Sequence, residues 1–281
     1  MADQAKVEEA VKSTLVELKQ LLEYSSEAIT KIKITPAVKR KTIYRLNLFS
    51  GIYQRIQGLV YLVENNQANA ANILLRSAWE LLAASDFVGM KRGNYYLEVF
   101  HGLEGSMIKK QWTQIKNLRA SYPLANTWQK QWSDTVIDER IVFGDNQLKT
   151  FTDKYPQANI NQHRTLQARL KQVDDYNRIN KPELKPLAQM DYYTVYSLLS
   201  EDVHSTVYGT SKNTIISDTG IHVDLEKKGL DSLRNVTTAY SMLLNYTNML
   251  ARLYRLGQGE KIREFRAVEK AHHKLYKSLE D

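Results

Sequence analysis

The chain of 281 residues contains no cysteine. A disulfide framework, a thiolate zinc site and a cysteine nucleophile are therefore excluded, and the composition fits a reducing compartment. No apolar run reaches the roughly 18 residues that a membrane-spanning helix needs, so no membrane partner is expected. The N-terminal MADQAKVEEA is polar and acidic. It lacks the basic start and apolar centre of a secretion signal, and the expected location is cytoplasmic. There is no phosphate-cradling glycine loop and no dinucleotide fingerprint; no cofactor is expected.

Proline is scarce. Only Pro36, Pro123, Pro156, Pro182 and Pro186 occur, four of them between 123 and 186. Proline breaks helix interiors, so 37–122 and 187–281 are free to carry long helices. Apolar residues at three-to-four spacing predict helices over about 4–31, 36–65, 67–88, 94–120, 187–208, 229–256 and 260–279, with shorter pieces at 124–140 and 160–177. The helix over 67–88 is apolar nearly all round and is expected at the centre. The period then shortens, and Thr214–Ser217 followed by Ile221–Leu225 across Gly220 predicts a β-hairpin. The fold class is mostly α: a helical bundle with a short β-hairpin near 214–225. One principal domain over 1–281 is expected, with a proline-containing helical insert at about 123–186.

Charge is unevenly spread. The net charge is +8, which permits an acidic partner such as RNA. Residues 28–63 contain no acid but carry Lys31, Lys33, Lys39, Arg40, Lys41, Arg45 and Arg55. Residues 105–133 also lack acids, and there Lys109, Lys110, Lys116, Arg119 and Lys130 alternate with Trp112, Tyr122, Trp128 and Trp132. Cations neutralise phosphates and aromatics stack on unpaired bases. A solvated helix face with its aromatics turned inward accounts for the same pattern.

Three constellations can carry chemistry. Tyr196, Ser200 and His204 fall at i, i+4 and i+8, which places a phenol, a hydroxyl and an imidazole on one helical stripe. A histidine beside a serine is the minimum for proton transfer near neutral pH, and equally describes a buried histidine capped by a hydroxyl. Arg76 and Glu80, at i and i+4 on the most apolar helix, are either an exposed ion pair or two desolvated charges that must be mutually satisfied or used. Glu98-x2-His101 and Glu201-x2-His204, with Glu80 and Glu139, have the residue types of a di-metal carboxylate bundle.

The segment Val203-His204-Ser205-Thr206-Val207-Tyr208 resembles the histidine segment of HEPN-type helical domains, prokaryotic bundles of toxins and phage-defence systems. Many of these are metal-independent ribonucleases in which arginine and histidine from two protomers meet. By this resemblance His204 fills the histidine position. Leu198, Leu199 and Ser200 stand where the arginine is usual, leaving Arg76 to substitute from another helix. Over about 60–225 the chain is also similar to uncharacterised bacterial helical proteins that combine an Arg-x3-Glu helix, a Tyr-x3-Ser-x3-His helix and a hairpin. The resemblance implies a homodimer that engages RNA without a metal, with His204 as acid or base, Ser200 and Tyr196 orienting it, and Arg76, positioned by Glu80, meeting phosphate charge. A non-catalytic binding or regulatory bundle and a di-metal protein are the alternatives.

Overall fold

The computed structural model describes residues 4–32, 40–90, 94–121, 133–180, 196 and 229–280, together with the backbone of 214–217 and 220–223. The expected helix over 187–208 lies outside the described residues except for Tyr196, as do 122–132. The chain divides into two compact units, Met1–Ser85 with Met190–Asp281, and Asp86–Gln189. The expected insert at 123–186 falls within the second, which begins earlier because the helix after Gly93 packs on the helix after Ser133. Among the described residues the fold is mostly helical, and no helix is long and apolar enough to cross a membrane.

In the first unit, α1 (Gln4–Thr30) buries Val7, Ala10, Thr14, Leu18, Leu21, Ser25 and Ala28, a seam that recurs every three or four residues. Its partner is α7 (Leu230–Leu253), whose buried positions run around most of its circumference. The two are joined inside the core by the Ser25 and Thr247 hydroxyls, 2.8 Å apart. The last helix, α8 (Gly259–Glu280), docks on both. It buries Ile262, Phe265, Glu269 and His272, with His272 Nε2 bonded to Glu17 of α1.

Two further helices complete this unit, α2 (Arg40–Glu64) and α3 (Ala68–Gly89). They run antiparallel in a fixed register. A Cβ at Gly51 would lie 2.8 Å from Leu81 Cδ1, and one at Gly58 2.9 Å from Leu74 Cδ1; midway between them, Arg55 Nε donates to Ser77 Oγ at 2.6 Å. Close helix approach is why glycine is tolerated at both positions despite costing about 1 kcal/mol each in a helix interior. The expectation that α3 is buried all round is corrected: Ile73 is 52% exposed, while α7 is the central helix. Alanine lowers the polarity of every face of α3 without fixing which face is covered.

In the second unit, α4 (Tyr95–Ser121) and α5 (Asp134–Lys154) form an antiparallel pair. Ser133 caps α5 by accepting from the Val136 amide at 3.3 Å, and Asp134 adds negative charge to its first turn, where the helix dipole favours it. These fix the start of α5, which runs on to Lys154, past the expected end near 140. A 3-10 turn (Ile160–His163) and α6 (Leu166–Asn180) complete the unit. In the first unit, the backbones of β1 (Thr214–Ser217) and β2 (Gly220–Val223) pair antiparallel, Thr214 opposite Val223 and Ser217 opposite Gly220.

Candidate functional site

The α2-facing stripe of α3 carries Leu74, Ser77 and Leu81. Turning about 110° around the helix at 100° per residue brings Arg76 and Glu80 to the next face. Arg76 Nε donates to Glu80 Oε1 at 3.3 Å, with the arginine side chain 15% exposed and the glutamate 43%. Arg76 Nη2 donates to the Tyr196 hydroxyl at 2.9 Å, across 120 residues of sequence. Tyr196 in turn lies against α3: its ring is 5.3 Å from that of the buried Trp79, and the Arg76 guanidinium sits 4.9 Å from its centroid.

The three side chains form a triangle: Arg76 bonds to both Glu80 and the Tyr196 hydroxyl, and the Glu80 carboxylate acts on that hydroxyl. Burial is the main influence raising the phenol above its ordinary range, opposed by the Arg76 hydrogen bond and reinforced by the Glu80 charge. The hydroxyl thus stays protonated at neutral pH and accepts from the Arg76 cation. Such a charge-assisted network holds a guanidinium in one orientation, the requirement for an arginine that must meet a phosphate oxygen at a fixed place.

Of the five predicted site residues, Arg76, Glu80 and Tyr196 come together. Ser200 and His204 lie outside the described residues.

The nominated metal ligands separate into other roles. Glu98 accepts from Lys154 Nζ at 2.7 Å and from the Tyr155 hydroxyl at 2.6 Å, clamping the start of α4 to the end of α5. His101 pairs with Glu104 at 3.7 Å, and Glu139 is exposed. Glu201, like His204, is outside the described residues. Among the described residues no three histidine, aspartate or glutamate side chains are grouped to hold a metal ion.

The acid-free stretch 105–133 is balanced in part by the next helix. Lys109, Lys116 and Arg119 pair with Asp145, Asp138 and Asp134 at 2.6, 2.7 and 3.1 Å. The acids absent from 105–121 of α4 are supplied by α5, a compensation that the linear sequence hides. Tyr122, Trp128, Lys130 and Trp132 lie outside the described residues. In the stretch 28–63, Arg55 bonds to Ser77 and to the Gly51 carbonyl.

Lys41 was missed as a candidate. Burial, and secondarily the Arg45 charge, lower its amine from 10.5 to about 8. The same neighbourhood raises the Tyr254 phenol, chiefly through burial, against a hydrogen bond with Thr42 and the Arg45 charge. The available signal was the acid-free run itself, which leaves both cations without a carboxylate nearby in sequence.

Residues 42–221 match the model of a family of unknown function. No curated protein and no solved structure matches the chain.

Proposed function

The chain belongs to that family, DUF5677, and from this premise we propose that it engages RNA as a helical protein of the bacterial defence or toxin type, cleaving it without a metal. All five candidate residues fall inside the matched region. In this reading His204 takes the proton of a ribose 2′-hydroxyl and the 2′ oxygen attacks the adjacent phosphorus. The bond from phosphorus to the 5′ oxygen breaks, and the proton passes from His204 to that leaving oxygen. Arg76 stabilises the charge that develops on the phosphate. Tyr196 and Glu80 hold Arg76, and Ser200 orients His204. The active species is a homodimer, as the resemblance to HEPN domains implies.

The observation that carries this reading is the 2.9 Å bond from Arg76 to Tyr196. It ties the arginine to the first residue of the stripe that the sequence continues with Ser200 and His204. A second reading, a non-catalytic binding module, is favoured by the same arginine being held by both Glu80 and Tyr196. There the triangle is a polar knot that fixes one segment on α3.

The deciding experiment expresses wild type and His204→Ala in a bacterial host and scores growth and total RNA, then repeats the RNA assay on purified protein in EDTA. The catalytic reading expects arrested growth and EDTA-resistant RNA loss from wild type alone. Equal RNA loss from both proteins, or none from either, replaces it with the binding module.

A further inference from the structure

At the turn between α7 and α8 lies an open cavity of about 510 Å³ lined by four arginines. Arg252 and Arg255 come from the end of α7 and the residues just after it. Arg263 and Arg266 come from the first two turns of α8. Gly257, with φ +68°, turns the chain between them. The turn thus sets two helix ends side by side, each with a pair of cations on its facing side.

Cations on a protein surface are usually balanced locally, and of these four Arg266 is. Arg266 is held by Glu269 at 2.6 Å and by Asn245. Among the described residues, Arg252, Arg255 and Arg263 have no ion-pair or side-chain hydrogen-bond partner. No acid lines the cavity. At 100° per residue, Glu260 and Glu264 fall about 110° and 150° from the centre of the stripe formed by Gly259, Ile262, Arg263 and Arg266; Glu264 is bonded to Lys261 at 2.6 Å. The first amides of α8 add partial positive charge at the same mouth.

Three like charges around one concavity repel one another in the free protein. An anion that binds them all removes that repulsion and stabilises the fold by mass action. Guanidinium forks match phosphate oxygens two at a time. Charges drawn from two helices suit several phosphates in a row better than a single compact anion. A volume near 500 Å³ is in the ordinary range for a small-molecule site, and no aromatic lines it to stack on a base.

We propose that this cavity binds a chain of phosphate groups, through Arg252, Arg255 and Arg263. The site lies outside the family-matched region and does not depend on RNA cleavage. Free oligophosphates and the backbone of RNA present the same chemistry.

The test uses the full-length protein and inorganic tripolyphosphate at constant ionic strength, read by thermal unfolding and by calorimetric titration. ATP and a twelve-nucleotide single-stranded RNA are run in parallel. The comparison protein is Arg252→Ser/Arg263→Ser; both side chains are exposed, so the fold is kept, which circular dichroism checks. Wild type is expected to unfold at a higher temperature with tripolyphosphate, and the double variant to bind it at least tenfold more weakly. ATP binding as tightly as tripolyphosphate assigns the site to free oligophosphates. Tighter RNA binding, with a salt dependence that the variant makes shallower, assigns it to the RNA backbone. No unfolding shift in wild type, or an affinity within twofold in the variant, overturns the proposal. A His204→Ala control separates the two sites, since it is expected to leave tripolyphosphate binding unchanged whether or not RNA is cleaved.

Discussion

Gly105 and Gly144 meet backbone to backbone: a Cβ built on either would lie 2.6 Å from the carbonyl oxygen of the other. Neither helix has a side chain that can yield, so α4 and α5 approach as closely as their backbones allow. Ion pairs between Lys109 and Asp145 and between Lys116 and Asp138 run along the same junction.

Gly144→Ala is expected to destabilise the second unit by about 3 kcal/mol, at the upper end of overpacking costs because only backbone can move. Gly58→Ala meets the flexible end of Leu74 and gains helix propensity, so its net effect is expected within about 1 kcal/mol of zero. Thermal unfolding of both variants checks the contrast. Equal effects would mean that the α4–α5 approach is looser than described.

Ser25 and Thr247 share a buried hydrogen bond at 2.8 Å. Ser25→Ala or Thr247→Val alone leaves one hydroxyl buried and unpaired, a loss of about 1–3 kcal/mol. The double variant removes both groups and is expected to cost clearly less than the two single losses together. A double-mutant cycle in urea measures this coupling; strictly additive losses would show that the hydroxyls do not interact.

His163 gives the second unit a pH dependence. It is buried among Phe87, Tyr95 and Tyr96. Desolvation lowers its folded pKa below the ordinary 6.5, opposed by a hydrogen bond with Gln172 and aided by the charge of Arg169. The unfolded chain therefore takes up a proton first as pH falls. The stability is fully present above about 6.5 and decreases below it, toward the lower folded pKa. Unfolding midpoints between pH 7.5 and 5 are expected to fall for wild type and to fall less for His163→Asn; parallel slopes would count against it.

Tyr196→Phe removes the hydroxyl that links Arg76 to Glu80 and keeps the ring on Trp79. Loss of a hydrogen bond to charged partners is expected to lower stability by about 1.5–3 kcal/mol, read from the urea midpoint at unchanged slope. The catalytic reading also expects a loss of RNA cleavage beyond the unfolded fraction. A purely structural knot loses stability alone.

Much of the helix pattern was legible in the sequence, because an amphipathic helix writes its period into the chain. The spacing of Val7, Leu18 and Leu22 is enough to place α1, and Arg76 with Glu80 is visible as an i, i+4 pair. The sequence did not say which helix is central. Alanines made α3 look uniformly buried, whereas the covering of α7 is decided by α1 and α2, far from it in sequence, together with the following α8. Lys109, Lys116 and Arg119 show the same limit, since their acids sit on the following helix.

By itself, then, the sequence determined the helical class, the glycines that permit close packing and the residue types able to do acid–base or phosphate chemistry, because these depend on local periodicity and side-chain identity. Only the tertiary structure decided that Tyr196 closes on Arg76 and Glu80, that Lys109, Lys116 and Arg119 of α4 pair with acids of α5, and that three arginines around the last turn have no ion-pair partner among the described residues. Those are distances between chain segments, and they follow from how whole helix faces pack against one another.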